Sequence, residues 1–220
     1  MVKTLKMMKP VTFFIALLLA LCLTGCQKEA PYDGQTDGAF RLTGHVLSGS
    51  AASQVRIEVF SDLQCPACGE LFLRILQPLM REYQDRVNVI YHEFPLSGHQ
   101  FSRPAARFVA AAAKLGQQKV LPVYDAIYSD QAYWIRDGNL EASVARALSG
   151  DDFLRVRQIL RDADSLAEIN ENIERDLLLG MRKGVNVTPT MFISYGSREQ
   201  KVEGVPTYQV IKQFLDPLVK

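Results

Sequence analysis

The spacing of hydrophobic positions changes twice within residues 54–91. Residues 55–60 alternate at their start and are rich in β-branched side chains, which predicts a strand. A helix is expected from about residue 65 to residue 83, because Leu71, Ile75 and Leu79 recur on one face. Residues 87–91 again have the pattern of a strand. A strand, a helix and a strand in this order predict a βαβ unit with a right-handed crossover.

Helical spacing dominates the middle of the chain, and strands return near its end. Helices are predicted at 103–115, 120–128, 140–148, 151–160, 164–183 and 207–219, and strands at 190–194 and 200–202. Without the helices at about 101–183, the order of elements is βαβ followed by ββα. This is the order of the α/β thioredoxin fold, here with a helical insertion.

The first residues have the pattern of an export signal. Lysines at positions 3, 6 and 9 precede an apolar run over residues 11–23, which is shorter than the roughly 20 residues of a membrane-spanning helix. The sequence Leu-Thr-Gly-Cys at 23–26 resembles the lipobox of bacterial lipoproteins. We therefore predict a signal peptide at 1–25 and a lipid on Cys26. The alternative is an ordinary signal peptide with a chance cysteine.

Composition separates a tether from a globular domain. Residues 26–53 are polar and rich in Gly, Ser and Asp, which predicts a lipid-anchored tether, with a short strand suggested at its end. The globular domain is expected at 54–220. The net charge of +1 includes the three signal lysines, and the rest of the chain has 22 basic and 24 acidic residues. This balance argues against a nucleic-acid-binding protein.

Cysteine chemistry is concentrated in one short motif. Of the four cysteines, only those in the sequence Cys65-Pro66-Ala67-Cys68 remain as thiols after processing and lipidation. A helix N-terminus stabilises a thiolate, so Cys65 is the expected nucleophile and Cys68 the resolving thiol. A structural zinc site would need two further ligands at suitable spacing, which the sequence lacks. No metal or cofactor is expected beyond the redox-active disulfide of Cys65 and Cys68.

A second motif, Thr188-Pro189, stands immediately before a predicted strand. Together with the segments Phe-Ser-Asp-Leu-Gln-Cys-Pro-Ala-Cys at 60–68 and Phe-Pro-Leu at 94–96, it resembles DsbA-like proteins over residues 46–218. The resemblance implies a cis Pro189 facing the cysteines and disulfide exchange with exported proteins. It also implies that Pro66, Ala67, Thr188 and Pro189 bind the substrate peptide.

The chain also departs from that family. Ala67 replaces the histidine of its strongest oxidants, so the pKa of Cys65 is expected to be less depressed. Several relatives have a buried acid six residues before the nucleophile, where this chain has Val59. Glu58 is out of phase with that position and is expected to pair with Arg56. Asp62 matches the family. It is expected either to relay a proton for Cys68 or, equally, to cap the turn.

Other candidates have weaker support. His99 is expected to be a loop or cap residue rather than a base. Tyr128, Tyr133 and Trp134 are expected to pack within the helical insertion, with a peptide groove as the alternative.

The functional hypothesis is a lipid-anchored thiol–disulfide oxidoreductase at the periplasmic side of a bacterial membrane or the outer face of a single membrane. Its expected partners are exported cysteine-containing proteins and a membrane redox protein that recycles the cysteine pair. Disulfide formation is the favoured direction. The alternatives are a disulfide reductase or isomerase, and a peptide-binding module without turnover.

Overall fold

A five-stranded mixed sheet forms the centre of the domain in the computed structural model, which describes residues 44–219. The central parallel pair aligns Val55 with Val87 and Ser61 with Glu93, and the other pairs are antiparallel. The strands are β1 (His45–Ser48), β2 (Val55–Ser61), β3 (Val87–Glu93), β4 (Thr190–Tyr195) and β5 (Arg198–Glu203), in the order β1-β3-β2-β4-β5. β1 lies at the end of the predicted tether, where the sequence suggested a short strand. The predicted signal peptide, Cys26 and residues 27–43 lie outside the described residues.

The helix that follows β2 contains a π-helical turn. α1 (Pro66–Leu71) continues through a π-helical turn at Phe72–Leu76 into α2 (Gln77–Tyr83). The structure confirms the predicted extent of this helix and differs only by the π-helical turn in its middle. Pro78 explains the difference, because it has no N–H to donate to the preceding turn and its ring displaces the carbonyl four residues earlier.

Six helices between β3 and β4 form the insertion that the sequence predicted. A short helix over Gln131–Trp134 was not predicted, and the last helix of the chain ends at Leu215 rather than at residue 219. The helices are α3 (Ser102–Leu115), α4 (Val120–Ser129), α5 (Gln131–Trp134), α6 (Glu141–Ala147), α7 (Gly150–Arg161), α8 (Ala163–Arg182) and, after β5, α9 (Tyr208–Leu215). The βαβ–helices–ββα order confirms a thioredoxin fold with a helical insertion.

The two faces of the sheet bury different residues. One face of β2 contributes Val55, Ile57 and Val59 to the main core, which includes residues of α1 and α4. Phe60 leaves the opposite face and packs with Phe94, Val185 and Phe192 in a separate apolar cluster. Within the described part of the chain, no helix has the length and apolar character needed to cross a membrane.

Candidate active site

The two cysteines of the motif occupy different environments at the start of α1. Cys65 is the N-cap residue with an extended backbone, and Pro66 is the first helical residue, where a missing N–H costs nothing. Cys68, one turn later, is completely buried, whereas Cys65 is half-exposed. Both are free thiols. The structure therefore separates an accessible sulfur from an enclosed one, as the sequence predicted.

This arrangement lowers the pKa of Cys65 to about 5. The largest cause is a hydrogen bond from the Cys68 thiol, and burial opposes its effect. The pKa is lowered further by the backbone N–H groups of Cys68 and Ala67 and by the Thr188 side chain. Burial, followed by the hydrogen bond to Cys65, raises the pKa of Cys68 well above its usual value. At neutral pH Cys65 is a thiolate and Cys68 a thiol, which is the division between an attacking and a resolving cysteine.

The Thr188–Pro189 loop lies directly against this sulfur. The peptide bond between the two residues is cis, as the resemblance to DsbA-like proteins implied. The Cys65 Sγ is 3.6 Å from the Thr188 carbonyl oxygen, and the buried Thr188 hydroxyl has no hydrogen-bond partner among residues 44–219. Thr190 then begins β4 and pairs with Phe60 of β2. The sheet thus brings both sequence motifs to one edge of the fold.

Asp62 organises the turn between β2 and α1. Its Oδ1 accepts hydrogen bonds from the backbone N–H groups of Gln64 and Cys65 at 2.7 and 3.1 Å. Its Oδ2 accepts from the Leu96 N–H at 2.7 Å and contacts the His99 Nδ1 at 3.0 Å. These contacts fit the turn-capping role and place His99 in a supporting loop. The alternative role of Asp62 as a proton relay stays a prediction.

The insertion also holds this turn. The Gln131 Nε2 donates to the carbonyl oxygens of Leu63 at 2.8 Å and Cys65 at 3.0 Å. From the other side, the Phe101 N–H donates to the Gln64 Oε1 at 2.8 Å. Sequence reasoning missed Gln131, because no motif marks a glutamine that lies more than 60 residues from its partners.

Three hydroxyl groups lie beside Cys68 inside the core. The Tyr91 hydroxyl donates to the Ser61 Oγ at 2.6 Å, and the Tyr128 hydroxyl is 2.7 Å from Tyr91 and 3.1 Å from Ser61. The Ser61 side chain hydrogen-bonds Cys68 and lowers the pKa of that thiol, against the larger effect of burial. Tyr128 is therefore a buried neighbour of the site.

The other two aromatic candidates differ from Tyr128. Trp134 is buried and its Nε1 donates to the Ile127 carbonyl oxygen at 2.7 Å, which confirms its predicted packing role. Tyr133 remains 66% exposed, so its predicted packing within the insertion is wrong. It is the third residue of a helix of only four residues, and the guanidinium group of Arg136 lies over its ring at 5.7 Å.

The opposite face of β2 contains a buried ionic network. Glu58 is 5% exposed, with its Oε1 3.6 Å from the His92 Nε2 and its Oε2 3.0 Å from the Lys183 Nζ. The His92 Nδ1 is 2.9 Å from the Asp176 Oδ1. The Glu58–Arg56 pair that the sequence predicted exists at 3.9 Å, but it is the outer and weaker part of this network. The alternation of residues along β2 predicted on which face of the sheet Glu58 lies, but it could not predict the contacts of Glu58 with His92 and Lys183.

Burial and pairing act in opposite directions on these groups. Burial lowers the pKa of His92, yet the hydrogen bond to Asp176 and the nearby Glu58 carboxylate outweigh it and raise the pKa to about 9. Burial raises the pKa of Glu58, and His92, Lys183 and Arg56 together lower it to about 2. The network is therefore charged at neutral pH and fastens α8 to the central strands. Among residues 44–219, no group of three or more His, Cys, Asp or Glu side chains is arranged to hold a metal ion.

Comparisons with known proteins agree with this geometry. A family model described as Thioredoxin matches residues 42–217. The chain is 28% identical over 152 residues to the probable disulfide bond formation protein D of Bacillus anthracis, covering 66% of this chain and 68% of that protein. The crystal structure of Pseudomonas aeruginosa DsbA2 matches with a TM-score of 0.61 and 26% identity, covering 80% of this chain and 94% of that one. Wolbachia pipientis alpha-DsbA1 matches with a TM-score of 0.66 and 19% identity, covering 81% and 92%.

The chain therefore belongs to the thioredoxin family, and its relatives and helical insertion make it a DsbA-like thiol–disulfide oxidoreductase. This result confirms the fold, the family and the enzyme class that the sequence indicated.

Proposed function

We propose that the protein is a lipid-anchored oxidoreductase that forms disulfides in exported proteins through Cys65 and Cys68. The observation that carries this proposal is the contact of a thiolate-forming Cys65 with both a buried Cys68 and the backbone of Thr188. The relatives named for disulfide bond formation support the same chemistry.

The reaction uses the two cysteines in sequence. In the oxidised protein, a substrate thiolate attacks the Cys65 Sγ, the Cys65–Cys68 bond breaks, and Cys68 takes up a proton. A second substrate thiolate then attacks the substrate sulfur of the mixed disulfide, so a substrate disulfide forms and Cys65 leaves as a thiolate. The substrate loses two electrons and the cysteine pair gains them. A membrane redox partner must oxidise the pair again.

The pKa of Cys65 supports the disulfide-forming direction. Thioredoxin, a reductant, has an active-site pKa of about 7, and the strong oxidant DsbA one of about 3.5. The value of about 5 for Cys65 lies between them, so the thiolate stabilises the reduced protein. A stabilised reduced form makes the disulfide more oxidising.

The substrate surface is proposed at the edge where the two motifs meet. Pro66, Ala67, Thr188 and Pro189 border the Cys65 sulfur and would contact an extended peptide, with the Thr188 carbonyl as a backbone acceptor. A depression of about 530 Å³ beside the turn, lined in part by Phe94, Pro95, Leu96, His99 and Leu177, offers apolar surface for side chains next to the substrate cysteine.

The reduction potential tests the proposed direction. The protein with Cys22→Ser and Cys26→Ser, which keeps only Cys65 and Cys68, is equilibrated against glutathione. A potential nearer about −120 mV than about −270 mV is expected for a disulfide donor. A value near the lower figure contradicts the direction and favours the reductase.

Two cysteine variants test the mechanism. Cys65→Ser should abolish exchange, and Cys68→Ser should accumulate mixed disulfides with substrates. Retained turnover in Cys65→Ser would contradict the assignment of the nucleophile. For the anchor, Cys26→Ser should move the protein from the membrane fraction to the soluble fraction, and an unchanged distribution would exclude lipidation there.

A further inference from the structure

We propose that Glu93 supplies and recovers the proton of Cys68 during exchange, acting through the hydroxyl groups beside that thiol. This inference rests on the proposed function of Cys65 and Cys68 as the redox pair. Glu93 does not touch the sulfur, so it is a positioning residue for the proton and not a catalytic residue.

The sheet places Glu93 next to the hydroxyl cluster of Ser61, Tyr91 and Tyr128. Ser61 and Glu93 are register partners in the parallel β2–β3 pair. Their side chains therefore leave the same face from strands about 4.8 Å apart. Tyr91 lies two residues before Glu93 and shares that face. Cys68, whose thiol hydrogen-bonds Ser61, packs over the same face.

Glu93 is buried, and polar or charged groups from several elements surround it. The Tyr124 hydroxyl of α4 donates to its Oε1. Its own backbone N–H donates to the Asp176 Oδ2 at 2.9 Å, and Asp62, His92 and Tyr91 interact with it electrostatically. A cavity of about 180 Å³ reaches Glu93, and its other titratable or charged lining residues are His45, Lys114, Glu168 and Asp176. This cavity gives a proton a route to the exterior.

These surroundings keep the carboxyl group protonated at neutral pH. The pKa of Glu93 is raised to about 8, and burial is the largest cause. The hydrogen bond from Tyr124 lowers this pKa, the charges of Asp176 and Asp62 raise it, and the charge of His92 lowers it. A proton donor works best when its pKa is close to the working pH. A carboxyl group with an ordinary pKa would have lost its proton before exchange began.

The proton balance of the exchange step defines the role. When a substrate thiolate attacks the Cys65 Sγ, the electron pair of the Cys65–Cys68 bond passes to the Cys68 sulfur. Cys68 takes a proton from the Ser61 hydroxyl, and the hydroxyl cluster regains one that originates at Glu93. In reoxidation the same path runs backwards, and Glu93 recovers the proton as Cys68 becomes a nucleophile.

Asp62 is the competing candidate, and its geometry differs. Both of its carboxylate oxygens are engaged by backbone N–H groups and His99, and only its backbone N–H reaches the Cys68 Sγ, at 3.4 Å. Glu93, by contrast, lines a cavity and also lies beside the hydroxyl cluster of Ser61, Tyr91 and Tyr128.

The test is the pH profile for reduction of the oxidised full chain carrying Cys22→Ser and Cys26→Ser. Dithiothreitol is the probe, and each rate is divided by the fraction of its thiolate. With Glu93 in place, the corrected rate of reduction should fall as pH rises through about 8, when Glu93 ionises. We call this falling part of the pH profile the limb. Glu93→Gln should remove this limb and lower the rate at neutral pH on the order of tenfold or more. Glu93→Asp should restore the limb.

Tyr124→Phe is the matched control, because it keeps the carboxyl group and removes its hydrogen-bond donor. The limb should move to higher pH, since Tyr124 lowers the pKa of Glu93. The Cys65 thiolate titration of every variant checks that the site is intact. A limb that persists unchanged in a folded Glu93→Gln protein overturns the inference, and so does a limb that is missing from a folded Glu93→Asp protein or that Asp62→Asn alone removes. If Cys65→Ser still turns over, the proposed function itself fails.

Discussion

The Cys65 sulfur lies 3.6 Å from the Thr188 carbonyl oxygen, although the two residues are 123 positions apart in the chain. The sheet creates this contact, because β4 pairs directly with β2, the strand that leads into the active-site turn. The reactive sulfur and a backbone carbonyl group of the Thr188–Pro189 loop are therefore fixed side by side before a substrate arrives.

The causes of the low Cys65 pKa can be ranked by substitution. Cys68→Ala removes the largest cause, the hydrogen bond from the Cys68 thiol, so the pKa of Cys65 should rise from about 5 toward its usual value. Thr188→Val keeps the side-chain shape and removes only a smaller cause, so the rise should be smaller. Ultraviolet absorbance of the thiolate against pH measures both. A larger rise in Thr188→Val would contradict this order.

Gln131 should stabilise the active-site turn. Gln131→Ala removes the side-chain donor to the Leu63 carbonyl oxygen and one of three donors to the Cys65 carbonyl oxygen, which should lower the free energy of unfolding by about 1–3 kcal/mol. The looser turn should also slow exchange on the order of tenfold. Denaturant unfolding and dithiothreitol kinetics measure the two effects. Gln200→Ala removes an exposed glutamine that bonds only the Lys201 carbonyl oxygen, and it should change neither quantity.

The His92 network should make stability depend on pH. Because folding raises the pKa of His92 from 6.5 to about 9, its contribution is complete below pH 6.5 and is lost as pH rises through about 9. The loss should be roughly 3 kcal/mol at 1.36 kcal/mol per pKa unit. Urea unfolding at several pH values should show it in a variant with Glu93→Gln, Cys65→Ser and Cys68→Ser, because folding also shifts the pKa values of those three groups across or beside this window. His92→Gln added to that variant should flatten the profile. An equally steep fall would show that another group is responsible.

Gly180 allows α8 to approach the sheet closely. A Cβ at this position would lie 2.6 Å from the Phe94 Cε2 and 2.9 Å from the Phe60 Cδ1. Gly180→Ala should therefore destabilise the protein by about 1–3 kcal/mol, although alanine favours helices. Gly150→Ala in α7 meets no atom within 4 Å and should be neutral or slightly stabilising. Urea midpoints compare them, and equal midpoints would contradict the packing argument.

The sequence was most informative where chemistry depends on neighbours along the chain. The position of Cys65 before a helix predicted a lowered pKa, and the resemblance to DsbA-like proteins implied the cis peptide bond before Pro189; the structure confirms both. The order of strands and helices predicted the fold. Pro78 is the sequence feature that accounts for the π-helical turn in the first helix.

Relationships between distant elements could not be predicted in the same way. Gln131, Tyr91 and Glu93 have no motif, and their roles come from the register of β2 with β3 and from the packing of the insertion. Glu58 shows the same limit, because its strand face was predictable and its contact with Lys183 was not.

The two outer strands of the sheet have a further consequence. β5 presents charged side chains along most of its length, and β1 has only four residues with an irregular register against β3. Short, bulged and charged outer strands resist pairing with additional chains. An unfolded polypeptide that approaches this protein therefore finds little opportunity to extend the sheet sideways. Even at high local concentrations of unfolded chains, the enzyme should resist co-aggregation with the molecules on which it acts.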